Sequence, residues 1–197
     1  MEITAAMVKE LRQHTGAGLM DCKAALKESS GDIDKAMEYL RIKGLAKAQK
    51  KSERETSEGT VLSYIHPGSR IGVLVQVNCE TDFVARTDEF QAFSRDVAMQ
   101  IAATSPMSLD RDGVPEEAVS KEREVYRTQA MEQKKPEAVV EKIIDGRLEK
   151  YYSEVTLMDQ PFIKDDSKTV RDLLNELVAK LGENIRVARF ARFQIGN

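Results

Sequence analysis

Tryptophan is absent from this 197-residue chain, and cysteine and histidine occur only twice each. Cys22 and Cys79 have no close-spaced cysteine partners, and only His14 and His66 could assist them. Neither a disulfide framework nor a metal site is therefore expected. No apolar run is long enough to span a bilayer, and no signal-peptide apolar region follows Met1-Glu2. The expectation is a soluble cytoplasmic protein with no membrane association and with both thiols reduced. A strong charge imbalance is missing too: the formal net charge of −3 gives no general case for nucleic-acid binding. There is no Gly-x-x-x-x-Gly-Lys-Ser/Thr loop, and Thr15-Gly16-Ala17-Gly18 lacks the spacing and the preceding strand of a dinucleotide fingerprint. The chain itself is expected to bind no nucleotide and to need no cofactor. His14, Asp21 and Cys22 could be imagined as a Cys-His pair, but the pattern puts His14 at a helix end and the others on an adjacent amphipathic face. No catalytic constellation emerges, so an enzyme is not expected.

What is present is charge and helical periodicity. Charged residues make up 32% of the chain, which suits a helix-rich protein with much solvated surface, and the length allows one or two domains. Ile3 and Val8 flank Thr4 in the form of a hydrophobic staple around a Thr N-cap, although Met7 stands where a capping box would have Glu. Val8 and Leu11 then share a face. Gly16 and Gly18 break the chain before Leu19, and Cys22, Ala25 and Leu26 line a second helix that ends at Ser30-Gly31. Asp32 caps a third, whose Ile33, Ala36, Met37 and Leu40 recur at helical spacing. These three short helices, residues 1–49, resemble the ubiquitin-associated fold. Residues 50–58 contain no apolar anchor and read as a mobile linker. Basic residues cluster from Arg41 through Lys43, Lys47, Lys50 and Lys51 to Arg54, and again at Arg186, Arg189 and Arg192. The first group lies near a helix C-terminus, where cations meet the dipole favourably.

Residues 59–197 read as an α+β core. Thr60 to His66, a Pro67-Gly68-Ser69-Arg70 turn and the strand Ile71 to Asn78 form a hairpin. Asp88 and Gln91 offer a capping box for a helix bearing Phe90, Phe93, Val97 and Ile101. Pro115 and Pro136 fit the first turns of two more helices, the second carrying Val140, Ile144, Leu148 and Tyr151. Val170, Leu173, Leu174, Leu177, Val178 and Leu181 make a continuous stripe ended by Gly182. Ile185 to Ile195 reads as a closing strand that joins the hairpin in a three-stranded antiparallel sheet packed with helices, since a lone hairpin is marginal.

Between the strand ending at Asn78 and the helix starting at Thr87 or Asp88 stands Thr81-Asp82-Phe83-Val84, a large aromatic beside a carboxylate in a short turn. Taken alone, the turn favours the plainer reading, in which Phe83 tucks into its own core while Asp82 caps the next helix. The wider string from Val77 to Val84 closely resembles the signature of bacterial elongation factor Ts. Val8-Lys9-Glu10-Leu11-Arg12 followed by Thr15 to Leu26 is a second match, and Gly146-Arg147, Gln160-Pro161-Phe162 and Lys168-Thr169-Val170 extend the resemblance over nearly the whole chain.

The resemblance implies a translation factor that promotes nucleotide exchange on elongation factor Tu, the GTPase that delivers aminoacyl-tRNA. The turn Thr81, Asp82, Phe83, Val84 would enter between helices of the GTPase domain. There Phe83 would fill an apolar pocket and Asp82 would disturb the contacts that hold Mg²⁺. Arg12, Met20 and Lys23 are the matched candidates for a second contact from the N-terminal bundle, and His66 at the hairpin tip is a further one. Many family members carry two core modules where this chain has material for one, which implies a homodimer; the closing strand and Ser153 to Asp166 are candidates for its contact. For Met20 a place in the bundle core is an open alternative, and Arg12 and Lys23 can be plain solvated charges. Two rival functions also stay open: a passive module that binds small proteins or peptides, and a ribosome-associated or RNA-binding factor using Lys47 to Arg54.

Overall fold

The structure, a computed structural model, describes residues 3–133 and 136–196, and among these it contains eight α-helices and a three-stranded antiparallel sheet. The α+β expectation is met. The helices are α1 (Ala5–Thr15), α2 (Leu19–Glu28), α3 (Ile33–Lys51), α4 (Asp82–Ala85), α5 (Asp88–Thr104), α6 (Glu116–Glu132), α7 (Glu137–Val155) and α8 (Val170–Leu181). Strands β1 (Glu58–Ile65), β2 (Ile71–Cys79) and β5 (Ile185–Gln194) form the sheet in the order β1-β2-β5. Strands β3 (Pro161–Phe162) and β4 (Asp165–Thr169) pair separately as a small antiparallel ribbon. The fold divides into two compact units, one of residues 1–61, 76–94 and 172–188, the other of residues 62–75, 95–171 and 189–197.

The first unit holds α1, α2 and α3, which pack on one another. Thr4 caps α1, its hydroxyl accepting the Met7 N–H at 3.3 Å, and Asp32 caps α3 by accepting the Lys35 N–H at 3.0 Å. Both caps stand where the sequence puts them. Val8, Leu11, Cys22, Ala25, Leu26 and Ala36 are buried together, with Ile3, Met7, Ile33, Met37 and Leu40 packed around them. The third helix is longer than expected. It runs on to Lys51, because the residues after Leu40 are mostly good helix formers and Ala48 is buried near its end. Residues 52–57 then reach β1 held by polar rather than apolar contacts. The Asn184 amide donates to the Ser52 and Arg54 carbonyls at 3.2 and 2.7 Å, and the Asn78 amide donates to the Thr56 carbonyl at 3.0 Å. Gly59 lies at φ 142°, and a Cβ there would fall 2.1 Å from the Val77 carbonyl oxygen, so β1 approaches β2 at this point only because the residue is glycine.

In the second unit, α6 and α7 pair as a helical hairpin around Ala130, Val140, Ile144 and Leu148. Pro115 and Pro136 stand just before these helices, one position earlier than the first-turn placement expected from sequence. Gln100 is fully buried and fully used: its amide nitrogen donates to Gln160 Oε1 and the Pro161 carbonyl, both at 3.1 Å, and its oxygen accepts the Ile163 N–H at 2.9 Å. Thr104 adds a hydroxyl bond of 2.7 Å to the same Gln160 oxygen. The Gln160-Pro161-Phe162 string is thus the polar seam that seats the β3–β4 ribbon on α5. On the surface Asp159 accepts from Arg111 at 2.7 Å and from Arg171 at 3.1 Å.

Candidate partner-binding site

Strand β2 runs one residue further than expected, to Cys79, and leads through Glu80 into a single helical turn rather than an open loop. Thr81 has extended backbone angles and caps that turn, its hydroxyl accepting the Val84 N–H at 3.4 Å. Three residues after Val84 a second threonine repeats the device. Thr87 donates to the Val84 carbonyl at 2.8 Å and accepts the Phe90 N–H at 3.3 Å, which makes Thr87 the cap of α5. The Asp88–Gln91 capping box does not form. Gln91 instead donates to the Ala85 carbonyl at 2.7 Å, tying the single turn to the helix behind it. Ala85 is buried beneath, so the small side chain of this turn faces in.

The large one faces out. Phe83 is 80% exposed, more than any other large apolar side chain among the described residues, whereas Phe90 one helix later is 0% exposed. Leaving a phenyl ring in water forgoes the ~1.5–3 kcal/mol its burial would supply. The core reading of Phe83 is therefore excluded for the free protein. Asp82 sits on the first position of α4, where a carboxylate suits the helix dipole, and pairs with Arg86 at 2.8 Å. It does not cap α5. Thr81 and Val84 are half-buried.

The backbone entering this turn is held from far along the chain. One oxygen of the Glu183 carboxylate accepts the Glu80 and Thr81 N–H groups at 3.1 and 3.0 Å, and the other accepts the Thr81 hydroxyl at 2.6 Å. Glu80 returns the contact, its own carboxylate accepting the Asn184 N–H at 2.6 Å and pairing with Arg54 at 3.4 Å. The buried Cys79 thiol donates to the Thr81 carbonyl at 3.1 Å. Burial, with Glu183 nearby, pushes that thiol up to about 11, so it stays a neutral donor at ordinary pH. Glu183 and Asn184 escaped the sequence reading, and Glu80, although inside the matched string, carried no role of its own there. The local signal in the sequence is a short polar link, Gly182-Glu183-Asn184, between helix and strand; the structure buries its Asn184.

The other candidates belong to other elements. Arg12 is in the last turn of α1, and Met20 and Lys23 lie one turn apart on α2, all three exposed. Met20, 73% exposed beside the exposed Leu19, does not close the bundle core. Between Met20 and Cys22, Asp21 accepts from Lys47 at 2.9 Å and lies 3.6 Å from Lys43; the Lys47 bond above all holds its carboxyl below the usual range. Two of the clustered lysines are thus engaged within the bundle. His66 is exposed at the end of the β1–β2 hairpin, its ring nitrogen 3.0 Å from the Tyr64 hydroxyl, and belongs to the other unit. Among the described residues no group of three or more His, Cys, Asp or Glu side chains is arranged to hold a metal ion. No helix among them is long and apolar enough to cross a membrane.

Comparison with known proteins agrees with the motif. The family described as Elongation factor TS matches residues 2–197. The chain is 60% identical to Elongation factor Ts of Carboxydothermus hydrogenoformans over 194 residues, covering 98% of this chain and 89% of that protein. It is 58% identical to Elongation factor Ts of Oleidesulfovibrio alaskensis, covering 98% of each, and 58% identical to that of Geobacter sulfurreducens, covering all of this chain and 91% of the relative.

Proposed function

Because this chain belongs to the elongation factor Ts family, we propose that it is the guanine nucleotide exchange factor of elongation factor Tu, working in the cytoplasm and without catalytic chemistry of its own. The observation that carries the reading is the placement of Phe83: an aromatic ring 80% exposed on a turn whose entry is pinned by Glu183. Such a ring is a preformed anchor, since little ordering entropy remains to be lost when it enters a pocket. Phe83 fills an apolar pocket of the GTPase domain. Asp82 beside it brings negative charge to the contacts that hold Mg²⁺. Thr81 and Val84 set the turn that presents both. Loss of the ion leaves the phosphate charge less compensated, and GDP leaves faster. No bond is made or broken.

Linkage gives the mechanism its direction. A factor that binds the nucleotide-free GTPase better than its GDP form must weaken GDP by the same coupling free energy. Arg12, Met20 and Lys23 belong to a ubiquitin-associated-like bundle of residues 1–49 that makes the second contact on the partner. Residues 50–58 link it to the core of residues 59–197, where His66 is a further contact candidate. The core forms a homodimer, supported by Ile65 and Phe193 on the sheet strands and Ile195 just past the end of β5, which leave apolar side chains in water.

The test is GDP release from elongation factor Tu with and without this protein. Acceleration is expected, and calorimetry should show tighter binding to the nucleotide-free partner than to the Mg²⁺·GDP form. Equal affinity for the two forms, with no acceleration, would leave a passive binding module. RNA binding with a steep salt dependence and no effect on GDP would support the ribosome-associated reading instead.

A further inference from the structure

We infer that Glu183 is the positioning residue of the exchange turn, acting through the backbone of Glu80 and Thr81 to aim Phe83 and Asp82 at the partner. The inference rests on the exchange reading and deepens it. The turn itself contains few internal constraints: one helical turn, a cap of 3.4 Å at Thr81 and an ion pair between exposed side chains. A single turn does not hold its shape in water without outside contacts. Three hydrogen bonds to one carboxylate supply them, on two backbone N–H groups and the Thr81 hydroxyl. Bonds to an ionised acceptor are shorter and about twice as strong as neutral ones. They act where strand β2 ends, so they fix the direction in which the chain leaves the sheet.

The contact is also reciprocal. Glu183 takes the N–H of Glu80, and Glu80 takes the N–H of Asn184, so the turn before α4 and the turn before β5 cross-link each other's backbone. Cys79 adds a third restraint from beneath by donating to the Thr81 carbonyl. Both polar groups of the Thr81 backbone and its hydroxyl are thereby engaged on the inner side. Thr81 is consumed in fixing the turn, which leaves Phe83, and Asp82 in its exposed pair with Arg86, to meet the partner.

The chemistry separates the substitutions. Glu183→Ala removes all three acceptor contacts. Glu183→Asp keeps the charge but withdraws it by one methylene, out of reach of both N–H groups at once. Glu183→Gln keeps the length: its carbonyl oxygen can accept the two N–H groups while its amide nitrogen donates to the Thr81 hydroxyl. The experiment is GDP release from elongation factor Tu over a series of factor concentrations, with each variant's folded fraction measured by circular dichroism. Glu183→Ala and Glu183→Asp should lower the maximal release rate about tenfold or more, since a misplacement of ~1 Å can cost up to about a hundredfold. Glu183→Gln should stay within about threefold of the parent. A merely structural role behaves differently, because loss of folded protein acts as dilution: it raises the half-saturating concentration and leaves the maximum untouched. Ala and Asp variants that reach the parent's maximum would overturn the inference, as would a Gln variant as impaired as Ala. Amide exchange of the free protein keeps the two proposals distinguishable. If the parent fails to accelerate release, the exchange reading is lost, while protection of the Glu80 and Thr81 amides that disappears in Glu183→Ala would still establish the anchor; unchanged protection would remove it.

Discussion

Replacing Phe83 by alanine separates an interface anchor from a core residue by arithmetic. A residue 80% exposed has about a fifth of its surface to lose, which scales the ~1.5–3 kcal/mol of full phenylalanine burial to roughly 0.3–0.6 kcal/mol. Alanine's better helix propensity within α4 offsets a few tenths of that. The net change should lie within ~0.5 kcal/mol, a melting shift of under ~2 °C for a protein of this size. Phe90→Ala is the internal comparison. Its ring is fully buried, so the same truncation should cost ~3–5 kcal/mol and lower melting on the order of 10 °C. Binding should invert the order. Phe83→Ala should weaken the complex with nucleotide-free elongation factor Tu by ~2 kcal/mol or more, about thirtyfold, and slow GDP release with it. The assays are thermal unfolding of the free variants and a titration of GDP release. A Phe83→Ala protein that melts as low as Phe90→Ala, yet still accelerates release when folded, would refute the reasoning.

Asp82→Ala should slow GDP release several-fold while changing folding stability by no more than ~1 kcal/mol, because its ion pair with Arg86 is exposed; a variant with parental exchange would remove Asp82 from the mechanism. Stability should fall with rising pH through the Cys79 thiol. The folded protein holds that proton to about 11 where the free thiol titrates near 9.0, so the contribution is complete below the lower value and is lost as pH climbs through the upper one, by at most ~2–3 kcal/mol. Cys79→Ala should lack that component in urea unfolding followed across this range, and identical slopes would contradict it. Sedimentation should show a dimer at micromolar concentration that Phe193→Asp converts to monomer; a parental monomer with full exchange activity would end the dimer proposal.

The parts of this protein that sequence alone determined are those whose physics is local. Thr4 and Asp32 cap their helices because a short oxygen-bearing side chain reaches an N–H three residues on, whatever lies around it. The stripe from Val170 to Leu181 is one helix because 3.6-residue periodicity leaves no other way to bury it. Gly68 and Ser69, both at positive φ, close the β1–β2 hairpin where the Pro-Gly-Ser-Arg turn was read. Tertiary structure decided the rest. Thr87 and Asp88 are both able caps, and Thr87 prevailed because the turn before it ends with its carbonyl at Val84 in reach. Residues 52–57 carry no apolar anchor, yet Asn184 and Asn78 hold them through bonds that no hydropathy pattern encodes. The motif pointed to Phe83, but whether its ring met water or core depended on which side of the turn Ala85 and Thr81 were drawn into. Glu183, 102 residues from Thr81, makes two bonds to it and a third to the neighbouring Glu80, and a contact at that separation exists only once the chain has folded.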